Sequence, residues 1–212
     1  MYRKNYRPVT LQNLDYKIIY KVLAMRLAQV IHKVIPKCQS AFVPTRIISS
    51  PIHTIRSIIN KYKTSSHKYA ILFMDMEKAY DSVDFAYTLR VLEAVGVPSK
   101  FLNWVRMMFE SGSTQLIING YLSDRFHLGG GGKQGDPLYP LLFLVVMLGL
   151  IAIIDLDESI KGIPLPLCDR SVKIECFADD TSLFMGHHDD YHKYRSHITL
   201  FERAPTMWTN WS

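Results

Sequence analysis

The chain has 212 residues, of which 48% are hydrophobic and 21% charged, and a formal net charge of +6. This is the composition of an ordinary globular protein, long enough for one generous domain or two small ones, and its basic excess suits a polyanionic partner. Three cysteines, Cys38, Cys168 and Cys176, lie in no close pair, which argues against a disulfide framework or a structural zinc site and for a reducing compartment. The first eight residues are basic but lack an apolar core, so no signal peptide is expected there.

From Tyr16 to Ile35, the residues Ile18, Ile19, Val22, Leu23, Leu27, Val30, Ile31 and Val34 recur at helical spacing. Lys17, Lys21, Arg26 and Lys33 form the polar side, and Pro36 ends the helix. Residues 39–46 read as a loop, and Ile52 to Tyr62 as a second helix with Ile55, Ile58 and Ile59 inward. Tyr69 to Met74 is an apolar run with the length of a buried strand, ending on Asp75, an expensive place for a charge unless something pairs with it. Asp84 is placed to cap a helix through Phe85, Leu89 and Leu92, which Gly96 and Pro98 close before Phe101 to Phe109 restarts the pattern. Asn119-Gly120, between Thr114 to Ile118 and Tyr121 to Leu128, is a strong hairpin signal.

The four glycines at 129–132 imply a flexible hinge or a backbone that must come close to a ligand, yet the loop matches neither phosphate-binding glycine motif. Leu141 to Ile154 is uncharged but short of the ~20 residues of a spanning helix, so a buried core helix is expected. Val172, Ile174 and Cys176 then alternate with Lys173, Glu175 and Phe177 ahead of Ala178-Asp179-Asp180, and Leu183-Phe184-Met185 follow: a hairpin with acids at its tip. Adjacent carboxylates repel, which a divalent cation relieves, although Asp is also an ordinary turn residue. His187, His188, Asp189, Asp190 and His192 read as a solvated helix start rather than a metal site.

Asp75, the Gln134-Gly135 loop and the Asp179-Asp180 pair together fit two-metal nucleotidyl transfer, in which carboxylates hold two ions ~3.5–4 Å apart. Magnesium suits an all-oxygen site of this kind. At these residues the chain resembles the reverse transcriptases of non-LTR (LINE-type) retrotransposons, over nearly its whole length. Asn5-Tyr6-Arg7-Pro8-Val9-Thr10-Leu11, with Lys17-Ile18-Ile19 and Leu23-Ala24-Met25-Arg26-Leu27, resembles the family's opening fingers motif. Gln39-Ser40-Ala41-Phe42-Val43-Pro44 with Arg46 resembles the next block. Asp75-Met76-Glu77-Lys78-Ala79-Tyr80-Asp81, Lys133-Gln134-Gly135-Asp136-Pro137-Leu138 and Phe177-Ala178-Asp179-Asp180 resemble the three palm motifs, in order.

The resemblance implies an α+β polymerase right-hand palm, an antiparallel sheet backed by helices, with partial fingers over residues 1–68, a palm with interleaved fingers elements over 69–212, and no thumb. It implies RNA-directed DNA polymerase activity, with Asp75, Asp179 and Asp180 as the catalytic, metal-binding triad for two Mg2+ ions, Mn2+ being an alternative. Tyr80 is implied to exclude a ribose 2′-hydroxyl, Gln134 and Gly135 to line the nucleotide and template pocket beside Lys133, and Arg7 to meet the triphosphate. RNA template, DNA primer and deoxynucleoside triphosphates are the expected partners, in an intracellular setting, nuclear or ribonucleoprotein-bound, without a membrane or an obligate protein partner.

Departures from the family's pattern accompany the matches. Tyr139 stands where relatives carry Ser, Gly130-Gly131-Gly132 where Arg-Gly-hydrophobic is usual, and Leu144 and Leu148 where Asn and Glu are usual. Phe201 to Ser212 resembles the fourth palm motif with Pro205-Thr206 in place of Ser-Gly, one residue short of an expected lysine. The endonuclease, the first fingers segment and the thumb are not represented. A truncated domain is thus expected, and the alternative reading is a degraded, catalytically incompetent fragment with residual nucleic-acid binding.

Overall fold

A computed structural model describes residues 10–77, 79–166, 169–205 and 207–210. Helices α1 (Leu14–Ile31) and α2 (Ser49–Tyr62) precede strand β1 (Ala70–Glu77), which the single turn α3 (Ala79–Ser82), then α4 (Phe85–Ala94) and α5 (Ser99–Glu110) follow. Strands β2 (Ser113–Thr114), β3 (Ile117–Ile118), β4 (Tyr121–Leu122) and β5 (Phe126–His127) make an interrupted hairpin ahead of α6 (Tyr139–Leu156). After β6 (Ile163–Pro164) and β7 (Ser171–Val172) come the hairpin of β8 (Ile174–Phe177) and β9 (Asp180–Met185), helix α7 (Asp190–Arg203) and β10 (Trp208–Asn210).

The main sheet has the order β10-β1-β9-β8, and its neighbours are antiparallel throughout. Side chains alternate across the pleat, so register assigns each residue to a face. Met74, Thr181 and Cys176 form one cross-strand row and Leu72, Leu183 and Ile174 the next, on the face that packs into the main core. Phe73, Ser182 and Glu175 form a row on the opposite face, where Phe73 is 67% exposed. α2 covers only one end of that second face, through Ile58 against Phe184. The Tyr69 to Met74 run is therefore a half-buried strand, not the fully buried one expected, and Asp75 lies within β1 and exposed rather than at its end.

α6 backs the core face and touches α1, α3, α4, α7 and β8. Leu142, Phe143, Leu144, Val146, Met147, Leu150, Ile151 and Ile154 are all buried, each contributing roughly 1.5–3 kcal/mol. This helix is long and apolar enough to cross a membrane, but it is spent inside the core as expected. Leu144 and Leu148 stand on it, the first fully buried, so the residues that depart from the family's Asn and Glu serve packing here. Asp136 opens the helix: its Oδ1 accepts from the N–H groups of Leu138 (2.8 Å) and Tyr139 (3.3 Å).

Two expectations about α1 are corrected. The helix ends at Ile31, because turn bonds from Lys33 and Val34 to Val30 and Ile31 tighten the chain ahead of Pro36. Its buried side is Tyr20, Leu23, Ala24, Leu27 and Ile31, whereas Ile18, Ile19, Val22 and Val30 are exposed. Apolar residues on two sides of one helix leave periodicity unable to choose between them. On α2, Ile59 is likewise exposed while Ile58 is buried.

Candidate active site

Antiparallel register gathers the acids. β1 pairs with β9 as far as Met74↔Thr181, and the same register continued by one residue sets Asp75 opposite Asp180 on the open face. β8 and β9 close at Phe177↔Asp180, so Ala178 and Asp179 form a two-residue turn at the same end of the sheet. Asp75 and Asp180 are exposed, Asp179 is half-buried, and among the described residues neither Asp75 nor Asp180 has a Lys or Arg partner. Among the described residues, carboxylates at one sheet end with no Lys or Arg paired to Asp75 or Asp180 form an oxygen donor set that fits a hard divalent cation.

Tyr80 belongs to the single helical turn that follows β1. α3 presents its ring against Phe143 of α6, with centroids 4.6 Å apart and planes at 30°, and 6.2 Å from that of Tyr139. Its phenol is pushed well above the ordinary range, first by burial and then by the charges of Asp179 and Asp180.

The glycine run lies against the backbone that carries Tyr80. Gly132 N–H donates to the carbonyl of Tyr80 (2.7 Å) and Gly131 N–H to that of Val83 (2.8 Å), while Gly130 bridges to Asp84. At Gly131, with φ +76, a Cβ would lie 2.3 Å from the Asp81 carbonyl oxygen. At Gly132 it would lie 2.0 Å from the Tyr139 ring. Two departures from the family pattern are thus one packing arrangement: Tyr139 occupies the room that Gly132 leaves empty.

Downstream, Gln134 and Gly135 make an exposed turn, with φ +90 at Gly135. Lys133 is half-buried, its Nζ 4.5 Å from the Tyr16 ring centre, and burial lowers its pKa. Asp136 is pushed up to about 6 by burial against the counter-effect of its two backbone hydrogen bonds. Lys133 also borders a groove of about 720 Å³ that runs past Gln12, Asn13, Tyr16, Thr114 and Arg125. Asp84 caps α4 as expected, accepting from Tyr87 N–H at 2.7 Å. Arg7 lies outside the described residues.

Sequence reasoning assigned no role to Gln39, whose side chain is fully buried. Its Nε2 donates to the Ala178 carbonyl (3.1 Å), and its Oε1 accepts from the N–H groups of Ala178 (2.9 Å) and Ala41 (3.0 Å). The supported residue, Ala178, has φ +58, a conformation that only Gly adopts freely and that Asn or Asp tolerates better than Ala. With Ala at that position, the Gln39 hydrogen bonds support a conformation its own side chain disfavours.

His187, His188 and Asp189 form an exposed trio whose ligand atoms lie within 4.8 Å of one another. They sit beyond the far end of β9 from Asp180, and the neighbouring Asp190 instead accepts from the Gly186 and His187 N–H groups (2.9 and 3.0 Å). Among the described residues, Asp75, Asp179 and Asp180 share a sheet end without forming so tight a trio.

A four-stranded antiparallel sheet backed by α6 and α7, with acids at one end of its open face, defines a polymerase palm of the α+β class. Solved structures agree: telomerase from Candida tropicalis in complex with a TWJ fragment of telomeric RNA superposes with a TM-score of 0.67 at 12% identity, covering 92% of this chain and 34% of that one. Telomerase from Candida albicans in a corresponding complex gives 0.59 at 10% identity, covering 92% and 34%. The family model for reverse transcriptase (RNA-dependent DNA polymerase) matches residues 3–207, and the chain belongs to that family. A 149 kDa protein of transposon TX1 from Xenopus laevis is 30% identical over 209 residues, 99% of this chain and 16% of the relative. The Pol polyprotein of the retrotransposable element R2DM from Drosophila melanogaster is 30% identical over 185 residues, 85% of this chain and 16% of the relative. The chain thus spans about a sixth of the length of these relatives, which agree with the non-LTR resemblance in its motifs. Reverse transcriptases use divalent metal ions, and the oxygen-only donor set at the sheet end is compatible with one.

Proposed function

We propose that the chain is the RNA-directed DNA polymerase domain of a non-LTR retrotransposon, adding deoxynucleotides to a primer 3′-hydroxyl on an RNA template within an intracellular ribonucleoprotein. The observation that supports this reading is the register that sets Asp75 opposite Asp180 on the open sheet face, with Asp179 in the turn at the same sheet end. The three carboxylates would hold two magnesium ions. When bound, such ions lower the pKa of the attacking hydroxyl and neutralise charge developing on the transferred phosphate. Tyr80, whose ring stacks on Phe143, is proposed to exclude a ribose 2′-hydroxyl. The groove past Tyr16, Arg125 and Lys133 offers cations and an aromatic face to a single-stranded template, with Gln134 and Gly135 at the turn beyond it. Arg7 is proposed to meet the triphosphate.

Primer extension by the purified chain on an RNA template with magnesium tests the reading. Extension is expected from the wild type and should fall by at least about 10²-fold in Asp179→Ala, the scale of losing one preorganised electrostatic group. A folded wild-type chain that extends nothing overturns the reading in favour of a catalytically incompetent fragment. Tyr80→Ala should admit ribonucleotides; unchanged sugar discrimination removes that role from Tyr80.

A further inference from the structure

The residues that bear the acids do not by themselves explain how the acidic turn keeps its shape. Asp179 lies beyond the last ladder pair of its hairpin, after a residue whose φ of +58 is unfavourable for alanine. The segment 38–40 runs along the outer edge of β8. Cys176 N–H donates to the Cys38 carbonyl (2.7 Å), and Ser40 N–H donates to the Cys176 carbonyl (2.9 Å). This short parallel pairing delivers Gln39 to the turn, where its amide meets both backbone groups of Ala178 as a further strand would. Arg46 fixes the segment in turn, its guanidinium donating to the carbonyls of Ile35 (2.7 Å), Pro36 (2.6 Å) and Gln39 (2.6 Å).

We propose that Gln39 is a positioning residue for polymerisation: by clamping the Ala178 backbone it holds Asp179 where the divalent cations bind, and Arg46 holds the clamp. This rests on the polymerase reading for its chemistry, but the geometry is independent of it. A carboxylate ligand is only as well placed as the backbone that carries it, and losing an outer support of a metal ligand typically costs 10–100-fold in metal affinity or activity. Gln39 is fully buried and acts through the turn.

The test is Mn2+ binding to the full chain by calorimetry, alongside the magnesium dependence of extension, for the wild type, Gln39→Met, Gln39→Glu and Arg46→Lys. Gln39→Met keeps the side-chain length but loses all three hydrogen bonds, and should weaken Mn2+ binding and raise the half-saturating magnesium about tenfold. Gln39→Glu keeps the acceptor for two N–H groups, loses the donor to the Ala178 carbonyl, and should fall between Met and the wild type. Arg46→Lys should shift both readouts in the same direction by less. Melting curves identify the folded variants; should Gln39→Met not fold, the other two carry the test. Folded variants with wild-type Mn2+ affinity overturn the proposal, as does a wild-type chain that binds no Mn2+. A wild-type chain that binds Mn2+ but extends no primer would count against the polymerase reading alone, since the comparison of Mn2+ affinities still decides the role of Gln39.

Discussion

Two hairpin turns in this protein each open on a non-glycine residue in the left-handed region and support it by opposite means. Asn119-Gly120, with φ values of +51 and +84, joins β3 to β4 using residues that tolerate the left-handed region, and a Cβ added at Gly120 would meet nothing within 4 Å. Its strands expose Ile117, Ile118, Tyr121 and Leu122, so little tertiary packing supports it. Ala178-Asp179 joins β8 to β9 with an alanine at +58 and is held by Gln39, 139 residues away in sequence. A turn that needs only its shape can be written locally. One that must present a carboxylate at a fixed place is written into the tertiary structure, where strain at a functional position is tolerated because its surroundings over-determine it.

The largest expected contrast is catalytic. Asp179→Ala should lower primer extension by at least about 10²-fold, whereas Asn119→Ala should leave it within about threefold, because its hairpin does not carry the acids. Equal losses in the two variants would break the comparison.

Next is the loop that supports Tyr80. Gly132→Ala forces a Cβ to within 2.0 Å of the Tyr139 ring and should destabilise by about 1–3 kcal/mol in urea titration. In a Tyr139→Ser background most of that cost should vanish, giving a coupling energy of about 1 kcal/mol or more in a double-mutant cycle. Strict additivity would show that these two positions are not one packing unit.

A smaller effect distinguishes the turns by sign. Gly120→Ala should cost about 1 kcal/mol, since Ala at φ +84 is strained. Ala178→Gly removes the same kind of strain and should be neutral or stabilising by up to about 1 kcal/mol, the greater freedom of Gly in the unfolded chain offsetting part of the gain. Denaturant midpoints measured for both variants read the two signs directly.

Smallest is a pH effect on β8. Burial raises the Glu175 carboxyl from 4.5 to about 7. The unfolded chain therefore loses this proton first as pH rises, so Glu175 erodes stability between pH 4.5 and 7 and no further above that. Glu175→Gln should flatten this decline by about 1 kcal/mol, a modest figure because solvent still reaches the group. A parallel pH–stability curve for the variant would contradict it.

What could be read from the chain divides along the same line. The Asn119-Gly120 turn, the Asp84 cap, the buried character of α6 and the acid hairpin all depend on residues within a few positions of one another, where turn chemistry and spacing carry the information. The buried side of α1 could not be chosen because Ile18 and Val22 are as apolar as Leu23 and Leu27. Phe73 looked buried because its neighbours are apolar, although the pleat turns it to the open face. The glycines at 131 and 132 signalled a close approach correctly, but its object, the backbone from Tyr80 to Val83, is about fifty residues upstream and invisible to local pattern. Gln39 lay within a recognised motif whose role nothing local could reveal.

The most direct measurement of the central claim is amide hydrogen exchange at Ala178 in the wild type and Gln39→Met, with Asn119 and Gly120 as internal references. The clamp predicts that Ala178 exchanges slowly in the wild type and at least about tenfold faster in the variant, while the Asn119-Gly120 turn exchanges fast in both. An Ala178 amide equally slow in the two proteins, or as fast as Gly120 in the wild type, would contradict it.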